Sequence, residues 1–182
     1  MSRLPLQEHI VDLGKESLSK GGSLLLRVVS DSMKPMLKIG DILTVKSATC
    51  DDIRCGDLIV FIVNHTYFTH RVLDINGEFI QTKGDWWHKP DPLLRLDAII
   101  GVVQSREHDG RIINFEKNRW GRMNRVLGHL GRMQVRWLKF LDEDMQPSQA
   151  TPNDFGKTIN RTWLTSPFRL IERLLLFIWG YK

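Results

Sequence analysis

Between residues 6 and 20 the chain reads LQEHIVDLGKESLSK, with Leu6, Ile10, Leu13 and Ser17 at helical spacing, charged residues elsewhere, and Gly21-Gly22 ending the pattern. The spacing predicts a short amphipathic helix. From Ser23 the texture changes to brief β-branched and aliphatic runs, SLLLRVV, DILTV, DLIVFIV, TYFTHRVLDI, EFIQT and AIIGVV, each bounded by Gly, Asp, Asn or Pro. These predict strands of about 4 to 8 residues. Asn76-Gly77 suits a two-residue type I′ loop because both residues tolerate positive φ, so 68–75 and 78–82 are expected to be antiparallel neighbours. Three Gly-Asp pairs, 40-41, 56-57 and 84-85, read as turns leading into strands.

After Phe115 the helical period returns. Trp120, Met123, Leu127, Leu130, Trp137 and Leu141 form an apolar row, and Arg119, Arg122, Arg125, His129, Arg132, Arg136 and Lys139 a basic one. The polar stretch DEDMQPSQATPND reads as a linker over 142–157. A last helix follows, with Phe168, Ile171, Leu174, Leu175 and Ile178 on one face. The pattern therefore predicts a mainly β chain in three parts: an N-terminal amphipathic helix at 1–22, a β domain at 23–116, and a basic helical extension at 117–182.

Composition narrows the classes. With 182 residues, 42% hydrophobic and 26% charged, the chain supports one well-buried domain plus an appendage. A spanning helix needs about 20 consecutive apolar residues, and the longest uncharged run at either end is Leu174 to Tyr181. Charges are scattered through positions 1 to 20, unlike the apolar core of a secretory signal. These features predict a cytoplasmic protein or one peripheral at a membrane, without a transmembrane segment. Cys50 and Cys55 cannot make a disulfide framework or a four-ligand zinc site, so free thiols and no metal or cofactor are expected. Charge is uneven: residues 1 to 110 hold 13 Lys/Arg against 15 Asp/Glu, and residues 111 to 182 hold 13 against 6. The Arg-rich helix at 118–141 reads either as a packing helix with a solvated cationic face or as a docking surface for an anionic membrane or an integral membrane partner. Phe177, Trp179 and Tyr181 favour lipid. Nucleic acid ranks below both, since the stripe lacks a recognised reading motif.

Candidate chemistry lies in three segments. Ser30-Asp31-Ser32-Met33-Lys34-Pro35 puts Ser32 at a sharp turn after a strand, where its hydroxyl is exposed and neighbouring backbone N–H groups can face an oxyanion. A serine that merely satisfies a turn is the alternative. His70 lies on a strand whose alternation puts Phe68, His70 and Val72 on one face, where a hydrogen-bonded core histidine is the alternative to a base. The segment TKGDWWHKPDP brings Asp85 and Asp91 back past His70. A serine to attack, a histidine to take its proton and an aspartate to hold the imidazole are the parts of a serine hydrolase.

The ordered set SDSMKPMLKIGDIL, CGDLIVF, THRVLDI, TKGDWWHKPDP and IIGVV resembles the signal peptidase I family of serine endopeptidases, in the histidine-base branch of archaea, the endoplasmic reticulum and some Gram-positive bacteria. The resemblance covers roughly residues 24 to 104. It implies Ser32 as nucleophile, Ser30 as a side-chain oxyanion donor beside the Ser32 N–H, and His70 where other branches place a general-base lysine. The family's conserved carboxylates map onto Asp85 and Asp91, and Asp91 is favoured to orient His70. Asp31 replaces a small residue, Trp86 and Trp87 replace two asparagines, and Pro90 replaces the first aspartate of the final pair. No N-terminal membrane anchor of the kind the secretory enzymes carry is expected. The resemblance implies a serine endopeptidase that cleaves a precursor or leader peptide. The alternative is a catalytically inactive protease-fold module that binds peptides as a maturation accessory.

Overall fold

The computed structural model describes residues 4–87, 89–116, 118–141 and 166–178. In chain order these form α1 (Leu4–Ser19), β1 (Ser23–Arg27), β2 (Ile42–Lys46), β3 (Leu58–Val63), β4 (Thr66–Asn76), β5 (Phe79–Lys83), β6 (Leu94–Arg95), β7 (Ile99–His108), β8 (Arg111–Asn114), α2 (Asn118–Leu141) and α3 (Ser166–Ile178). The eight strands make one antiparallel sheet in the order β1-β2-β7-β3-β4-β5-β6, with β8 paired to β7. The mainly β architecture with flanking helices is the one the hydrophobic pattern predicts. The linker expected over 142–157, and Trp179 and Tyr181, lie outside the described residues.

Two apolar clusters fill the opposite faces of β3 and β4. Leu58 and Val60 join Met33, Met36, Leu37, Leu43, Met123 and Leu127, while Ile59 and Phe61 join Val72, Ile80 and Leu94. A strand buried on both faces reads as an unbroken apolar run, which explains the sequence LIVFIV of β3. Helix α2 closes the first cluster from outside. Its contact with the Gly56 turn is backbone on backbone: a Cβ on Gly128 would lie 2.6 Å from the Gly56 Cα. No larger residue fits there without moving the helix.

Several local expectations are corrected. In α1 the buried residues are Val11, Gly14 and Leu18, whereas Leu13 and Ser17 are exposed; the side chains of Leu6 and Ile10 are outside the described set. The face turns because Gly14 lets the helix approach Tyr67, whose hydroxyl would meet any Cβ there. The β4–β5 loop is Gly77-Glu78, with Asn76 paired to Phe79 and positive φ at Gly77 (57°) but not at Asn76 or Glu78. That is the II′ pattern. Loops with both residues at positive φ are Asn64-His65, between β3 and β4, and Asp109-Gly110, between β7 and β8. Asp41 and Asp57 do lead into β2 and β3, each accepting a backbone N–H from three residues earlier at 2.8 Å. Gly84-Asp85 instead follows β5.

On α2, Met123 and Leu127 are buried and Trp120 and Leu130 half-buried, but Trp137 is exposed. On α3 the inward residues are Phe168, Glu172, Leu175 and Leu176, and Ile171, Leu174 and Ile178 face solvent. Leu176 decides the orientation, because it is buried in the first cluster, with Leu175 packed against the same cluster beside it.

Candidate active site

Ser32 lies in the loop between β1 and β2. Its base is closed by the Val28 N–H on the Asp41 carbonyl and the Gly40 N–H on the Val28 carbonyl, both 2.9 Å. Within it the Lys34 N–H donates to the Asp31 carbonyl at 3.0 Å and the Leu37 N–H to the Met33 carbonyl at 2.9 Å. Met33, Met36 and Leu37 are buried in the core, which leaves Ser30 exposed and Ser32 half-buried. A buried polar group fixes the loop from below. Asp41 Oδ1 lies 2.6 Å from His108 Nδ1, Asp41 Oδ2 lies 3.4 Å from Arg106, and the Arg106 guanidinium donates to the Met36 carbonyl at 3.2 Å.

The two serine hydroxyls are 3.3 Å apart. Asp31, between them in sequence, directs Oδ2 to the Lys34 ammonium at 2.9 Å. The neighbouring groove has a volume of about 420 Å³, and its walls include Ser30, Ser32, Met33, Tyr67, Phe68 and Thr69. The outer end of β4 thus borders the Ser32 groove.

His70 follows on β4 and is buried. Its Nδ1 is 2.7 Å from Asp91 Oδ2, and Thr82 Oγ1 donates to the same oxygen at 2.7 Å. Asp91 returns to β5 through its own N–H, 2.8 Å from the Thr82 carbonyl, and its carbonyl accepts Gln81 Nε2. The rings of Phe61 and Phe68 stand edge-on to the imidazole, centroids 5.8 and 6.2 Å away. Against a carboxylate oxygen Nδ1 carries the proton, which leaves Nε2 as the acceptor. Ser32 and His70 are each paired with another candidate residue and are not hydrogen-bonded to each other.

Asp85 has a different partner. Strand alternation turns Arg71 away from the His70 face, and its buried guanidinium clamps Asp85 through Nε to Oδ1 at 2.8 Å and a terminal nitrogen to Oδ2 at 2.7 Å. The other terminal nitrogen donates to the Gly56 carbonyl at 2.8 Å and to Asn124 Oδ1 on α2 at 2.9 Å. Burial works against the Arg71 charge, but Asp85, joined by Glu172 and Asp57, outweighs it and holds the group above the ordinary arginine value.

The loop that carries Asp85 also touches the nucleophile's turn. The Trp86 N–H donates to the Ser32 carbonyl at 2.9 Å, and the Asp85 N–H approaches Met33 Sδ at 3.4 Å. Gly84 permits this approach: a Cβ there would run into the Trp87 ring and sit 2.7 Å from the Ser32 carbonyl oxygen. Lys83 Nζ ties the loop by donating to the Gly84 and Trp87 carbonyls at 3.1 and 3.0 Å.

Sequence reasoning missed Arg71, Thr82, Lys83 and Asn124. The available signal was charge inside strand patterns, since an Arg or Lys held in a buried strand needs a partner.

Lys83 yields a prediction. Burial pushes its ammonium below the ordinary lysine range, against the opposing pull of Asp85 and Glu172. Between that lowered value and about 10.4 the unfolded chain binds more protons than the folded one, so stability rises with pH across the window. The contribution is fully present above the unfolded value and is lost as pH falls through the folded one. Lys83→Met should flatten this alkaline rise in the denaturant midpoint relative to wild type. Parallel midpoint curves for the two proteins would remove Lys83 as its source.

A protein-family model described as Peptidase S24-like matches residues 2–82. No curated protein matches the chain. The matched segment is a little under half of the chain; it contains Ser30, Ser32 and His70 and ends before Asp85 and Asp91. This similarity is coarser than the histidine-base branch that the motifs resemble. Together with the antiparallel sheet, it supports a serine-protease-like fold module similar to the S24-like peptidases.

Proposed function

We propose that the chain is a serine endopeptidase of the histidine-base, signal-peptidase-I-like kind, cleaving a precursor or leader peptide. Ser32 Oγ attacks the peptide carbonyl, His70 Nε2 takes its proton, and the leaving amine receives that proton as the acyl-enzyme forms. Water, activated by the same imidazole, then releases the acyl group. Asp91 holds the ring, and Ser30 Oγ with the Ser32 N–H faces the oxyanion. The observation that carries this reading is the buried His70–Asp91 hydrogen bond on the strand whose outer end borders the Ser32 groove. Catalytic hydrogen bonds often form only with substrate in place, so the open Ser32–His70 pair is compatible with turnover. The apolar walls of the groove suit an apolar side chain of the peptide beside the cut.

The test is acylation by a panel of fluorophosphonate probes, read by intact mass and peptide mapping. One adduct on Ser32, absent from Ser32→Ala, is expected. Silence across the panel from a folded protein would overturn the enzyme in favour of a non-catalytic peptide-binding module. The Ser32 hydroxyl's bond to Ser30 is the observation on that side.

A further inference from the structure

We infer that the outer faces of α2 and α3 dock on an anionic lipid bilayer, with both helices lying in the plane of its surface. Helix α3 is apolar on two faces. One packs inward through Phe168, Leu175 and Leu176, while Leu170, Ile171, Leu174, Phe177 and Ile178, at i, i+1, i+4, i+7 and i+8, are exposed. Phe177 is 79% exposed. An apolar helix face of this size left to water marks a partner. Helix α2 adds a row at intervals of three and four residues that alternates polar or basic residues with hydrophobes: Arg122, Val126, His129, Met133, Arg136 with Trp137, and Phe140. Phe140 is 81% exposed, with its ring centroid 6.3 Å from that of Trp137.

Charge selects the occupant. Helix α2 contains no Asp or Glu, and the carboxylate of α3, Glu172, is half-buried and acts on Lys83 and Arg71. Among the described residues the exposed faces therefore combine bulky hydrophobes with arginines and carry no exposed carboxylate. A symmetric pairing of two copies would set the Arg rows against each other. An anionic headgroup layer accepts the cations, and the acyl boundary beneath it accepts Trp137, Phe140 and Phe177.

Length sets the orientation. The 13 residues of α3 extend about 20 Å against a hydrocarbon core of about 30 Å. Among the described residues no helix is long and apolar enough to cross a membrane. The inner side of α3 shares a small gap with Lys83 and Asp85. Lipid on the outer side would lie about one helix diameter, roughly 10 Å, from Asp85 and the 84–87 loop, whose Trp86 N–H bonds the Ser32 carbonyl.

The test is co-sedimentation of the full chain with phosphatidylcholine vesicles, with and without about one-third phosphatidylglycerol. Pelleting with the anionic vesicles alone is expected, falling several-fold when salt is raised from about 0.05 to 0.5 M. The exposed double variant Trp137→Ser, Phe177→Ser should melt as wild type and bind at least about tenfold more weakly. Binding is read without catalysis, so an inactive Ser32 leaves the outcome untouched. Protein that stays in the supernatant at low salt, equal binding to neutral vesicles, or a double variant that pellets like wild type would overturn the inference. So would a dimer that the double variant dissolves in a protein that ignores vesicles, since the face would then join two copies.

Discussion

Asp91→Asn should slow acylation of Ser32 by on the order of 10⁴-fold while leaving the melting temperature nearly unchanged. The carboxylate accepts from both His70 Nδ1 and Thr82 Oγ1 at 2.7 Å, which keeps the imidazole proton on Nδ1 and the lone pair on Nε2. An amide of the same shape can donate to Nδ1. The proton would then move to Nε2, where it blocks uptake of the serine proton, although the ring keeps its place between Phe61 and Phe68. Asp85→Asn supplies the contrast. Its partner is Arg71, so it should weaken the fold more than it alters the imidazole. Labelling rates across pH, beside thermal melts of both variants, separate the two carboxylates. A rate within about threefold of wild type for a folded Asp91→Asn would remove the carboxylate from the proposed mechanism.

The strands are legible where burial alone shapes them. β3 is apolar without interruption because both its faces are covered, and β4 and β5 are joined by a two-residue turn whose glycine marks the bend. Legibility fails where polar residues are buried by pairing. β7 continues past Val103 through Gln104, Ser105, Arg106, Glu107 and His108, a stretch with no hydrophobic signal, because Arg106 and His108 are held by Asp41. The Asp109-Gly110 turn after it is a strong hairpin signal that hydrophobic runs do not lead to. A glycine hides the inner face of α1, since Gly14 contributes close approach and no hydropathy. For α3, apolar residues on both sides leave the period unable to choose an inner face, and the contact of Leu176 with the core chooses it.

At the candidate site the legible part is local. His70 and Asp91 are 21 residues apart, and one hairpin with its return loop accounts for their meeting. The bond from Arg71 to Asn124 spans 53 residues and depends on where α2 lies on the sheet. One chain's periodicity gives the helix but not its seat. The backbone contacts of Gly56 and Gly128 set that seat, and with it the surroundings of Asp85.

The same network predicts the largest loss of stability. Arg71→Met should cost about 3 to 5 kcal/mol, because it leaves the Asp85 carboxylate charged, buried and without its bidentate partner. Against a total stability of about 5 to 15 kcal/mol, that is a large fraction, and it corresponds to a fall in Tm on the order of 10 °C for a domain of this size. Two further groups lose a donor, the Gly56 carbonyl and Asn124 Oδ1, both on the surface where α2 meets the sheet. A second substitution tests the cause. Arg71→Met combined with Asp85→Leu removes both charges and fills the space with apolar atoms, which for buried ion pairs is often near neutral. The double variant should therefore melt well above the single one. Its acylation rate should stay low, because the Arg71 clamp from β4 on Asp85 is lost from the 84–87 loop, whose Trp86 N–H steadies Ser32. A single variant within about 2 °C of wild type, or a double variant no more stable than the single, would show that the unpaired charge is not what the fold loses.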